Sequence, residues 1–210
     1  MKHVILYGPP AVGKLTVAEA LGRRTGWGVV HNHLSNNLVL EAFPYGHPEF
    51  SRLVISIRTQ LFEAAAKARV DGLISTLVYA PEKLDDAIVG DWRRRVAKHG
   101  GETLFVRLHC AEATLFKRVA NPSRRGHKKI IEPHLLKDWL KRFDLFSELR
   151  GVRSLSLDTD KLKPLQAAEI IAMVLGLPEA GAPAKAAPQA KARTKASPKA
   201  KPKPKARSRG

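Results

Sequence analysis

Gly8, Gly13, Lys14 and Thr16 stand in the order G-x-x-x-x-G-K-x-T, a spacing suited to holding phosphate. Two glycines let a backbone turn close around an anion and aim its N–H groups inward. A lysine directly after the second glycine brings a point charge to the outer phosphates of a nucleotide. The surroundings agree: the apolar run Val4-Ile5-Leu6-Tyr7 precedes the loop and predicts a buried strand, and a helical pattern over 14–25 follows it. First-turn N–H groups of a helix lack intrahelical partners, so a helix starting here completes an anion site. Gly8, Ala11, Val12, Gly13, Lys14, Leu15 and Thr16 are therefore the candidate nucleotide-binding residues, and Lys14 is also a candidate catalytic one. Leu15 occupies the place where most such loops carry a Mg²⁺-ligating hydroxyl; the hydroxyl comes one residue later, making Thr16 the candidate metal ligand.

Other residues able to do chemistry lie where apolar runs end. His31-Asn32-His33 is one such place. Imidazole titrates near neutrality, so either His31 or His33 is a candidate general base, His33 being the candidate catalytic residue and His31 also a candidate substrate contact. Asn32 suits an acceptor hydroxyl or a metal-bound water. The plainer alternative is that His31 closes a strand and His33 opens a helix. A zinc site on the pair lacks a nearby cysteine or a third spaced ligand. Arg58 stands in the apolar stretch Leu53–Leu61, where a cation requires a partner. That partner is an anionic substrate, an internal bridge to Glu63, or water reached by snorkelling. Tyr79, at another strand end, is a candidate substrate contact. Asn36, Asn37 and Glu41 form a polar helix face that either lines a pocket or is simply solvated. Trp92 and Trp139 fall in amphipathic patterns and read as core or helix-contact residues.

Short apolar, β-branched runs alternate with longer helical patterns. Strands are predicted at 4–7, 28–31, 72–79, 103–109 and 153–157, and helices near 14–25, 34–42, 48–70, 82–99, 111–119, 132–149 and 164–175. This alternation implies an α/β fold in three layers, with a five-stranded parallel sheet covered on both faces. Ligands of such sheets sit at the carboxyl ends of the strands. Residues 8–16, 31–33 and 76–79 would thereby meet around one cleft.

The loop, read as G-x-P-x-x-G-K-x-T, resembles that of adenylate kinase and its relatives among the small P-loop kinases, which include the shikimate and gluconate kinases. The resemblance extends over 2–177. Leu108–Arg118 looks like the strand and helix that lead into the lid of these enzymes, and Asn121–Lys129 like a short basic lid, here 120–131. Leu157–Pro164 looks like their base-contacting loop, and 33–70 takes the place of their acceptor-binding insertion. The resemblance implies a P-loop NTPase fold over 1–178, ATP and Mg²⁺ as cofactors, and Arg118, Arg124 and Arg125 as lid arginines closing over the transferred group. It also exposes a departure. The aspartate usual at the end of the second strand is replaced by His31-Asn32-His33, and the third strand ends in Ser75-Thr76-Leu77-Val78-Tyr79.

The net charge of +18 is unevenly placed. Residues 180–210 hold seven Lys, three Arg and no acid, leaving 27 of the 37 basic residues against all 19 acidic ones. With no aromatic or large aliphatic residue, 179–210 is expected to be a disordered basic tail, able to touch nucleic acid or another polyanion without specificity. A solubilising appendage is the alternative. Cys110 is alone, which excludes an intrachain disulfide and suits a reducing compartment. The N-terminal apolar run is too short for a signal peptide and no stretch reaches membrane-spanning length, so a cytoplasmic protein without membrane insertion is expected. Three functions remain open: a phosphotransferase acting on a small polar metabolite, a nucleic-acid end kinase assisted by the tail, and a nucleotide-binding module without turnover.

Overall fold

In the computed structural model, the described residues are 1–121 and 132–178. Most of the expected lid at 120–131, with Arg124 and Arg125, and the tail at 179–210 lie outside them. The described residues form five strands, β1 (Lys2–Tyr7), β2 (Gly28–Val30), β3 (Gly72–Leu77), β4 (Glu102–His109) and β5 (Ser154–Asp158). All pair in parallel, in the order β2-β3-β1-β4-β5. The described residues also form seven helices: α1 (Lys14–Thr25), α2 (Asn32–Leu40), α3 (Pro48–Lys67), α4 (Lys83–Lys98), α5 (Glu112–Val119), α6 (Pro133–Arg142) and α7 (Pro164–Val174).

β1 is central, and its residues sort by parity. Val4 and Leu6 pack in one core with Val17 and Leu21 of α1 and with Ala168 and Ile171 of α7. Ile5 and Tyr7 pack in another with Phe62 of α3 and with Val89 and Trp92 of α4. Successive side chains of a strand point to opposite faces, so this division separates the two helical layers. It also explains the run of apolar residues without alternation, because each face is covered. The expected three-layer α/β architecture is the one observed. None of the described helices is long and apolar enough to cross a membrane.

The expected helix at 132–149 ends early. α6 stops at Arg142, because the Asp144 carboxylate accepts hydrogen bonds from the backbone N–H of Phe146 and Ser147, both at 3.1 Å, and from the Ser147 hydroxyl. An aspartate that satisfies nearby N–H groups offers the chain an alternative to the helix. The freed segment returns to the sheet, where the Tyr7 hydroxyl accepts from the N–H of Leu149 and donates to Ser154 Oγ.

The α3/α4 layer buries two basic side chains. His3 and Ser75 share a 2.9 Å hydrogen bond beneath the ring of Phe62. Burial, reinforced by the nearby Arg58 charge, lowers the His3 pKa to about 3. Imidazole is therefore neutral in the fold yet protonates near pH 6.5 in the unfolded chain. Stability is complete above that pH and falls as the pH drops toward 3, because only the unfolded state takes up the proton. The expected slope from this group is at most about 1.4 kcal/mol per pH unit. Urea unfolding across pH 4–7 should show a shallower acid limb in His3→Gln than in wild type.

Candidate active site

Beyond Tyr7 the chain turns through Gly8–Gly13 into α1. At Gly8 φ is +141°, and a Cβ there would stand 2.2 Å from the carbonyl oxygen of Leu108 on β4. Only glycine permits the loop to press this closely on the sheet. Ala11 and Gly13 also have positive φ, 66° and 102°, and curl the backbone. Gly13 is the N-cap of α1, so no side chain caps that helix, and its first turn holds no acid. A Cβ at Gly13 would meet nothing within 4 Å, so the loop opens on space at that point. The positive end of α1 thus faces the opening with no acidic side chain in its first turn. Lys14 is buried, its Nζ donating to the carbonyls of Gly8 and Pro9 at 2.7 Å each.

The loop forms one wall of a cleft of about 790 Å³, a size ordinary for small-molecule sites. Residues 10–17 line it, Leu15 and Thr16 included. His31, Asn32 and His33 line it too. There β2 stops at Val30 and α2 begins at Asn32, two residues before the expected start, with His31 as its N-cap. The reason is a bridge to β3: the Asn32 N–H donates to Thr76 Oγ1 at 3.1 Å, and that hydroxyl donates to Asn32 Oδ1 at 3.2 Å. The His31 and His33 rings are tilted by 53° with centroids 6.1 Å apart.

Arg118 lines the cleft and holds two of its walls together. Its guanidinium donates to the Thr159 hydroxyl at 2.9 Å, to the Thr159 carbonyl at 2.8 Å and, at 3.5 Å, to the carbonyl of Val12 in the loop. Asp160 lies 3.5 Å away as counter-charge. The segment after β5 is thereby tied to the phosphate loop.

Arg58 and Tyr79 are not among the residues lining this cleft. Arg58 is 4% exposed; it donates to the Thr76 carbonyl at 2.7 Å and lies over the Trp92 ring at 4.7 Å. Desolvation lowers its pKa to about 10, which still leaves a cation at neutral pH. It borders a smaller cavity of about 190 Å³ between α3 and α4. Glu63, the internal partner considered for it, bridges Arg95 instead. Tyr79 packs edge-on against Tyr7 and donates to Asp86 at 2.6 Å, with burial the main cause of a pKa pushed up to about 12. Its neighbour Val78 faces the cleft.

Several lining residues were not legible in the sequence. Trp139, expected in helix packing, is 41% exposed and lines the cleft with Leu135, one turn away on α6. Tyr45, in the α2–α3 connection, is 59% exposed and lines it too. An i, i+4 apolar pair is the same signal for a core stripe and for a pocket wall. No Asp or Glu lines the cleft among the described residues.

No protein-family model matches the sequence, and no curated protein does. Solved structures share its fold. A sugar kinase of Janibacter sp. is similar with a TM-score of 0.58 and 20% identity, over 84% of this chain and 95% of its own. A gluconokinase of Sinorhizobium meliloti gives 0.53 and 19%, over 83% and 95%. A shikimate kinase of Acinetobacter baumannii, solved with shikimate, gives 0.51 and 18%, over 83% and 93%. At these identities the likeness concerns the fold: the chain shares the three-layer α/β architecture of these structures.

The two loop glycines should respond differently to a methyl group. Gly8→Ala drives a Cβ into a backbone carbonyl and should cost about 2 kcal/mol or more, whereas Gly13→Ala meets only backbone strain of about 1 kcal/mol. Thermal melts of the two variants beside wild type measure the order.

Proposed function

We propose that this chain is an ATP-dependent phosphotransferase that moves the γ-phosphate onto a hydroxyl of a small polar metabolite. The observation that carries the reading is convergence. The Gly8–Lys14 loop with the N-terminus of α1, and the His31-Asn32-His33 strand end, open on one cleft of about 790 Å³.

Phosphoryl transfer asks for positioning and charge neutralisation more than for covalent help. Backbone N–H groups of 11–16 would hold the phosphates, and Lys14 would exchange its carbonyl contacts for phosphate oxygens. Arg118 adds positive charge to the same cleft while anchoring the loop. Mg²⁺, when bound, would neutralise charge on the nucleotide phosphates. Thr16 would offer it one hydroxyl oxygen, the other ligands being nucleotide oxygens and water, which suits an ion that keeps much of its hydration. With no carboxylate among the described lining residues, the imidazoles of His31 and His33 remain to take the acceptor proton, and we assign that role to His33. His31 and Asn32, held by Thr76, would orient the acceptor hydroxyl.

That same lack of a carboxylate favours a second reading, a module that binds nucleotide without transferring phosphate. One experiment separates them: transfer from γ-labelled ATP with Mg²⁺ into a fractionated metabolite pool. Wild type should give a labelled small product and Lys14→Ala none. His33→Asn should lower turnover about 10²–10⁴-fold at unchanged ATP affinity. ATP binding with no labelled product selects the module.

A further inference from the structure

We infer that the cavity between α3 and α4 is a second binding site, and that it takes a small carboxylate with an apolar body of the size of benzoate. This cavity and the candidate active site have no lining residue in common among the described residues, so the inference does not depend on the phosphotransferase reading.

Arg58 lines this cavity as a buried cation without a counter-charge. A guanidinium carries several N–H donors and no acceptor. Among the described residues it makes one hydrogen bond, from Nη2 to the Thr76 carbonyl at 2.7 Å, and its buried Nε meets no acceptor. The rings of Trp92 and Phe62, 4.7 and 5.7 Å away, attract the charge without accepting those bonds. Burial alone lowers its pKa, with no carboxylate near enough to act against it. The sequence holds little else to pair with it: 122–131 contain no Asp or Glu, and 179–210 contain one, Glu179. A charge buried in this way is strongly unfavourable unless an anion meets it.

Size and lining define the rest of the ligand. The cavity has a volume of about 190 Å³, and an apolar cavity of about 150 Å³ already admits a benzene ring. Val54, Ile55, Leu77, Ile88 and Val89 give it hydrocarbon walls, which suit an apolar body and not a hydrated inorganic ion. Those walls run from Ser51 to Arg58 on α3 and from Asp85 to Trp92 on α4, about 10 Å along each helix. Arg58 lies over Trp92, so Asp85 stands two turns away along α4, where its Oδ2 accepts from the Ala80 N–H at 3.0 Å. The charged end of the ligand therefore belongs at Arg58, because a guanidinium is planar and its donors match the two oxygens of a carboxylate.

The test is ligand-detected NMR on the full chain with three probes. Benzoate is compared with benzamide, which keeps the ring without the charge, and with acetate, which keeps the charge without the ring. Benzoate should bind tenfold or more tighter than either. Arg58→Met removes the cation at similar length and should lower benzoate affinity to that of benzamide. Leu84→Trp changes a lining residue that is 61% exposed, and should narrow the cavity and weaken benzoate tenfold or more. A thermal melt checks that both variants fold. Benzoate binding no tighter than benzamide or acetate, or equal binding to wild type and folded Arg58→Met, overturns the inference. If Arg58→Met does not fold, equal binding to wild type and Leu84→Trp overturns it.

Discussion

The approach of Gly8 to the Leu108 carbonyl sets how closely the phosphate loop lies on the sheet, and the rest of the cleft is built outward from it. β1 enters the loop flanked by β3 and β4, so its end cannot shift without breaking two ladders. Arg118 then joins Val12 of the loop to Thr159, which itself hydrogen-bonds the carbonyl of His109 at the end of β4. Loop, β4, α5 and the segment after β5 thus share one rigid frame. A loop held in this way presents its N–H groups already arranged for an anion, which is the condition for electrostatic stabilisation without reorganisation.

Thr76 performs the corresponding task on the other side of β1. Its hydroxyl exchanges hydrogen bonds with Asn32 in the cleft, and its carbonyl accepts from Arg58 in the α3/α4 layer. One residue therefore connects the strand end that carries the histidines to a buried cation. Arg58 is unfavourable to bury, and the carbonyl together with the Trp92 and Phe62 rings offsets that cost. Its charge also helps keep His3 neutral beneath the same layer. Cations are accordingly divided between two tasks: Lys14 and Arg118 at the cleft, Arg58 in the packing.

Where apolar runs marked the strands, the sequence could be read to a sheet covered on both faces. Where a residue lay beyond the last ladder pair, it could not. Val78 and Tyr79 are neighbours past the end of β3, and the smaller one faces the cleft while the larger packs on Tyr7. Trp139 repeats the ambiguity on a helix, since its spacing from Leu135 announces an apolar stripe without saying what lies opposite. The early end of α6 is of another kind: Asp144 breaks the helix through its own hydrogen bonds, a local signal that the helical periodicity of the flanking residues overrode.

By itself the sequence determined the parallel sheet, the phosphate loop between β1 and α1, and the gathering of 31–33 near that loop. These follow from short-range patterns: apolar runs buried on both faces, glycines at positions of positive φ, and the rule that parallel strands end on one side. Tertiary structure alone decided that Arg58 and Tyr79 serve the packing while Tyr45 and Trp139 line the cleft. Periodicity shows that an element has a buried face, but what that face meets depends on elements distant in the chain. Arg58 shows the dependence: the Thr76 carbonyl on β3 and the Trp92 ring on α4, both distant in the chain, hold it in the core.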